Sequence, residues 1–157
     1  MTQVITVFTV FFLTMLDQVI KSAVTNRLAP DKEFVLIRNI FQLRYIENSG
    51  AIFGSFQSGA KLLAFITAMI ILVTLYLLLF NRIKNKFLYV CLVLVVAGGT
   101  GNLIDRITKG YVVDYLEPLF MNFAIFNFAD CLVTVGAFSM AGYLIFDMIR
   151  DMRKAKE

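Results

Sequence analysis

Two carboxylates stand apart from the other charges of this chain. Asp114 follows Val112-Val113, Asp130 follows Phe128-Ala129 and opens a long apolar run, and neither has a cation beside it. An ionised Asp at the centre of a bilayer costs about 2.5–3.5 kcal/mol on insertion scales, so such a group is partnered or functional. Two carboxylates brought together in a low-dielectric cleft cannot both ionise comfortably, and one then holds a proton near neutral pH. The ionised member can serve as general base for water and the protonated member as general acid toward a carbonyl oxygen, the arrangement of an aspartic protease. Spacing alone leaves two other readings open: partnered structural acids, and a relay pair in a proton-coupled membrane transporter.

Other polar residues carry helical spacing toward the same places. Asn102 lies three residues from Asp105 and four from Arg106, and Asn127 lies three from Asp130, so each set shares a helix face. In apolar surroundings such groups must find hydrogen-bond partners, in a bundle interior or a water-filled cleft. Asp105-Arg106 also reads as an interface anchor at a helix end, and Asn48, within Glu47-Asn48-Ser49-Gly50-Ala51, as a turn-former. The chain has no histidine, which removes His-based triads, zincin motifs and most transition-metal sites. Cys91 and Cys131 both fall in apolar runs and read as packed thiols, with no disulfide framework. Neither metal nor cofactor is expected.

The elements that must position these groups are membrane spans. The chain has 157 residues, 59% of them hydrophobic and only 17% charged, where a soluble domain carries about a quarter. Residues 62–80 and 87–104 are uncharged throughout, and 4–16 and 131–146 become long enough once their flanking carboxylates sit at an interface. Four spans are expected, at approximately 4–22, 61–80, 87–105 and 129–148, in a single domain over 1–157. The N-terminus lacks the basic region and small-residue cleavage site of a signal peptide. Four spans bring the end of the first, the end of the third and the start of the fourth to one face, so the polar residues converge there. Arg82, Lys84 and Lys86 crowd the loop between spans two and three, and Arg150, Arg153, Lys154 and Lys156 the tail. The positive-inside rule makes that side, with both termini, cytoplasmic. The tail beside a spanning helix reads as lipid-facing, and no nucleic-acid partner is expected. External segments then occupy approximately 23–59 and 107–127. Residues 34–46 and 111–115 are rich in β-branched and aromatic residues and read as short strands at the membrane surface.

Five blocks in order, DQVIK (17–21), ENSGAIFG (47–54), GNLIDR (101–106), VVDY (112–115) and FNFAD (126–130), make the chain resemble the lipoprotein signal peptidases, the type II signal peptidases of bacteria. The resemblance spans almost the whole chain. It implies a four-transmembrane-helix bundle, an all-α membrane protein with a small external β-cradle and a short external helix or loop over the cleft. It also implies an intramembrane aspartyl endopeptidase of the bacterial cytoplasmic (inner) membrane, a monomer with its active site near the external face. Such an enzyme cuts the signal peptide from a prolipoprotein just before a cysteine carrying a diacylglyceryl group, and globomycin-type cyclic peptides inhibit it. The family's catalytic aspartates correspond to Asp114 and Asp130. Its other characteristic positions, Asp17, Lys21, Asn48, Gly50, Asn102, Arg106 and Asn127, are expected to position substrate and support the pair. Ile52, Thr100 and Cys131 depart from the family's usual Ala, Leu and Ser, in small or near-isosteric ways. A Ser/Lys peptidase using Ser49 and Lys21 is the rival within the proteases.

Overall fold

The computed structural model describes residues 2–29, 32–50 and 56–154. In chain order it contains α1 (Thr2–Leu28), β1 (Glu33–Ile37), β2 (Phe41–Asn48), α2 (Phe56–Leu79), α3 (Lys86–Thr108), β3 (Val112–Pro118) and α4 (Phe128–Lys154). All four helices are long and apolar enough to cross a membrane. Their apolar side chains face outward in large number, among them Phe8, Phe11, Phe65, Leu72, Phe138 and Phe146. An outward apolar surface of that kind is a liability in water and a match for lipid. The protein is thus a multi-pass membrane bundle carrying a small three-stranded sheet, as the sequence suggests.

Helix α3 is the hub, packed against α1, α2 and α4. Its tightest seam, with α4, depends on glycine: a Cβ on Gly136 would lie 2.6 Å from the Cys91 carbonyl oxygen, and one on Gly98 would strike the carbonyl of Ala129. Small residues let helix backbones approach closely where no water is available to drive association. At the opposite end of α3, the Asn85 side chain accepts hydrogen bonds from the Phe87 and Leu88 amides and caps the helix.

The first helix runs to Leu28 instead of ending near Lys21. Its last turns are not bare: Val24 and Leu28 are buried against Val113 and Tyr115 of β3. The sheet has the order β1-β2-β3, antiparallel throughout, with Ile46 opposite Asp114 and Asn48 opposite Val112. Strand alternation therefore turns Val113 and Tyr115 toward α1 and places Asp114 on the other face, the face of Asn48. Residues 51–55, which include Ile52 and the end of the ENSGAIFG block, lie outside the described residues, as does Lys156.

Candidate active site

The start of α4 is where the polar residues meet. Asn127 is its N-cap and Asp130 its third helical residue, and the two cap one another. The Asp130 amide donates to Asn127 Oδ1 at 2.9 Å, and the Asn127 amide donates to Asp130 Oδ2 at 3.1 Å. This is the capping box, with Asp in the usual Glu position. The remaining amides of the first turn are also occupied. Phe128 N donates to the Tyr115 hydroxyl at 3.2 Å and Ala129 N to Asp17 Oδ1 at 3.1 Å, so α1 and β3 both grip this helix end. A helix begins with amides that have no partner within the helix, and here side chains from three elements supply them.

Asn127 also joins the two carboxylates. Its Nδ2 donates to Asp114 Oδ1 at 2.6 Å and to Asn102 Oδ1 at 3.2 Å. Asn102 Nδ2 in turn donates to Asp130 Oδ1 at 2.7 Å, while Asn48 Nδ2 donates to Asp114 Oδ2 at 2.8 Å. Asp114, Asn102 and Asn127 are all buried. Burial, reinforced by the neighbouring charge of Asp130, pushes the Asp114 carboxyl above its ordinary range, against its amide donors and the more distant Lys21.

Beneath this layer lies a buried ion cluster. Lys21 Nζ spends its three donors on Asp17 Oδ2 (2.9 Å), Asp105 Oδ2 (3.1 Å) and Asn102 Oδ1 (2.8 Å). Lys21, Asp17 and Asp105 are completely buried. Asp105 also accepts from Lys109 Nζ at 2.8 Å and from the Val113 amide at 3.2 Å, one residue before Asp114. Gln18 Nε2 reaches both Asp17 Oδ2 (3.2 Å) and the Gly101 carbonyl (3.1 Å). Buried charges cost several kcal/mol each unless paired and fully hydrogen-bonded, and no buried side-chain polar atom among the described residues lacks a partner.

The expected residues divide into three groups. Asp114, Asp130, Asn48, Asn102 and Asn127 form one continuous hydrogen-bonded set, and Asp17 and Lys21 join it through Asn102 and Ala129. Arg106 stands apart from that set: it lines a cavity of about 230 Å³ with Asn102, Asp130, Gly99, Ile71 and Thr67, and makes no hydrogen bond or ion pair with another described residue. Gly50 contributes backbone. It adopts φ +71°, donates its amide to Asn48 Oδ1 at 2.9 Å, and so fixes the turn that orients Asn48. Asn48 is thus both the turn-former and a partner of Asp114.

Tyr115, Gln18 and Lys109 are the contributors that sequence reasoning missed, and Asp105, read there on the face of Asn102, was given no place among the site residues. The spacing of Asp105 and Lys109, four apart at a helix end, was the available signal for that pair. The anchor reading for Asp105 and Arg106 gives way here. Asp105 is completely buried, because two lysines and a strand amide converge on it, and Arg106 faces the cavity. The Ser49–Lys21 pair has no support, since all three Lys21 donors are committed to Asp17, Asp105 and Asn102.

Comparison with known proteins gives a consistent result. Residues 9–146 match the family model described as signal peptidase (SPase) II. The chain is 38% identical over 121 residues to a lipoprotein signal peptidase of Streptococcus thermophilus (strain CNRZ 1066), covering 77% of this chain and 79% of that one. It is 37% identical over 134 residues to that of Clostridium tetani, with 83% and 86% covered, and 34% identical over 142 residues to that of Clostridium novyi, with 88% and 96% covered. A solved bacterial membrane enzyme structure, determined by the in meso method at 2.3 Å resolution, superposes with a TM-score of 0.81 at 28% identity, over 91% of this chain and 88% of that one.

Proposed function

The chain belongs to the signal peptidase II family, and from that membership we propose that it is an intramembrane aspartyl endopeptidase acting on diacylglyceryl-modified prolipoproteins. Family membership makes it a peptidase that removes signal peptides from prolipoproteins. The aspartyl mechanism rests on one observation above the others: the carboxylates of Asp114 and Asp130 both accept from Asn127, Asp114 from its side-chain amide and Asp130 from its backbone amide. The cut just before the lipidated cysteine is what the family resemblance implies.

In this mechanism the pair shares one proton. The ionised carboxylate takes a proton from water as the water oxygen bonds to the scissile carbonyl carbon. The protonated partner gives its proton to the carbonyl oxygen, which leaves a neutral gem-diol. When that diol collapses, the C–N bond breaks, the first aspartate passes its proton to the leaving nitrogen, and a diol hydroxyl returns a proton to the second. The signal peptide leaves with a new carboxyl group, the lipoprotein with a free amine, and the pair is restored. Asn48, Asn102 and Asn127 hold the carboxylates, while Asp17 and Lys21 hold Asn102 and the start of α4. Gly50 fixes the Asn48 turn, and Arg106, which lines the cavity without a hydrogen bond to another described residue, is placed to meet the substrate backbone.

A lipidated substrate lies in the bilayer with its scissile bond near one interface, which suits a site at the mouths of α3 and α4. The basic loop (Arg82, Lys84, Lys86) and tail (Arg150, Arg153, Lys154) lie at the opposite end of the bundle. They support cytoplasmic termini and an external active site in the bacterial inner membrane. We further read the enzyme as a single-domain monomer whose cleft globomycin-type cyclic peptides would occupy. The test is a gel-shift cleavage assay on a lipidated prolipoprotein. The purified protein should release the signal peptide, and an excess of such a cyclic peptide should block release. Absence of a cut product, with substrate-dependent proton flux in proteoliposomes instead, would return the pair to a transporter's relay.

A further inference from the structure

The glycines of α3 are not equivalent. A Cβ on Gly98 would collide with the Ala129 carbonyl and one on Gly101 with the Asp17 carboxylate, so packing and the ion cluster demand both. Gly99 is different. A Cβ there would meet Ile71 Cδ1 at 3.4 Å, Ile71 Cγ1 at 3.5 Å and Thr67 Cγ2 at 3.8 Å, all ordinary contacts. Alanine therefore fits, and in a helix interior alanine is the better residue by propensity. What Gly99 leaves open is space in the cavity of about 230 Å³ that also contains Asp130, Asn102 and Arg106.

We propose that Gly99 sets substrate specificity: its missing side chain deepens the catalytic cleft between α2 and α4, and the space receives a side chain from one of the last two residues of the signal peptide. This rests on the aspartyl peptidase reading, because it takes Asp130 as the reacting end of the cavity. Asn102 is bonded to Asp130, and Gly99 lies one turn from Asn102, about 4.5 Å farther along the helix toward the bilayer interior. An extended chain advances about 3.3–3.6 Å per residue. A substrate whose scissile carbonyl meets Asp130 thus brings a side chain from one or two residues on the membrane side to Gly99. The membrane side of the cut is the signal peptide. The cavity there has walls from Ile71 and Thr67 and no polar group on Gly99 itself, so it discriminates by size.

The experiment measures kcat/KM for lipidated prolipoproteins carrying Ala or Leu at each of the last two signal-peptide positions, with wild type and Gly99→Ala. For Gly99→Ala we expect a raised unfolding temperature, and its Leu/Ala ratio of kcat/KM at each position is compared with that of the wild type. At one of the two positions its Leu substrate should lose about tenfold or more, the scale by which one methylene-sized change in an apolar pocket discriminates. Ile71→Val removes the atom nearest the added methyl, so in the Gly99→Ala background it should restore cleavage of that Leu substrate. A merely structural glycine would change all substrates alike. Equal Leu/Ala ratios in wild type and Gly99→Ala at both positions overturn the proposal while the peptidase reading stands. Failure of the wild type to cut any of the four substrates overturns both.

Discussion

Asn127 and Asp130 hold each other at the start of the fourth helix, the side chain of each accepting the backbone amide of the other. One pair of residues therefore ends a loop, starts a spanning helix and aims a carboxylate. The second oxygen of Asp130 is fixed by Asn102, and Asn127 reaches across to Asp114, so a change at Asp114 leaves the cap untouched, while one at Asp130 keeps it only if an oxygen remains to accept the Asn127 amide.

That separation gives the first prediction. Asp114→Asn and Asp130→Asn should each lower the cleavage rate by about 10²–10⁴-fold, the range for loss of a positioned acid or base. In Asp130→Asn the remaining oxygen can accept the Asn127 amide, and in Asp114→Asn the Asn48 amide, so both variants should elute from a sizing column in detergent where the wild type does. Robust cleavage by either one defeats the dyad assignment.

The second concerns pH. Burial and the charge of Asp130 hold the Asp114 carboxyl above 3.8, its ordinary value, so the folded protein keeps a proton there that the unfolded chain has released. Where the native state binds more protons, stability falls as pH rises. The unfolding temperature should drop across the window between the ordinary and the folded value, and Asp114→Asn should remove that component. The alkaline limb of kcat/KM should also fall above the ordinary carboxylate range, as the shared proton is lost. Superimposable stability–pH curves for wild type and Asp114→Asn would contradict this.

The third addresses the buried ions. Lys21→Met leaves Asp17 and Asp105 facing each other's surroundings without their common cation, and breaking such a pair costs about 3–5 kcal/mol. It should yield little folded protein. Lys109→Met removes only a half-exposed partner of Asp105 and should cost less than about 1 kcal/mol. The contrast can be read from thermal unfolding in detergent, and equal losses would show that the cluster is not organised around Lys21.

The fourth is a pair of negligible and severe effects. Ser49→Ala should keep its cleavage rate within about twofold, since no described contact ties Ser49 to Lys21, whereas loss of activity would revive the Ser/Lys alternative. Gly101→Ala, by contrast, places a methyl against the Asp17 carboxylate. It should lower both stability and activity, as judged by unfolding temperature and gel shift.

How much of this was legible in the sequence differs by element. The spans were, because nineteen uncharged residues at 62–80 have few alternatives. The strands were located to within a few residues, because Val112, Val113 and Tyr115 carry β-forming side chains in a run too short for a span. The convergence of Asp17, Lys21, Asn102 and Asn127 followed from span parity. The extension of α1 to Leu28 did not: Ser22 to Arg27 has no apolar run, and only the sheet packed against Val24 and Leu28 explains why the helix continues. Nor were the partners of Asp105 legible, because Lys21 and Val113 come from other elements. The Asn-x-x-Asp spacing at 127–130 carried a capping signal beside its catalytic one, since the same geometry serves both.

The occupied amides at the head of the fourth helix limit how the proposed reaction can handle negative charge. A helix N-terminus is a ready anion site only while its N–H groups are free, and here Tyr115, Asp17, Asn127 and Asp130 have taken them. Backbone therefore offers no oxyanion hole at this end. Charge developing on the scissile oxygen must be met by the proton that the two aspartates share and by Arg106, the cation that lines the cavity beside Asp130. The catalyst would work as an acid first and an electrostatic trap second, with its helix dipole already spent on holding the acid still.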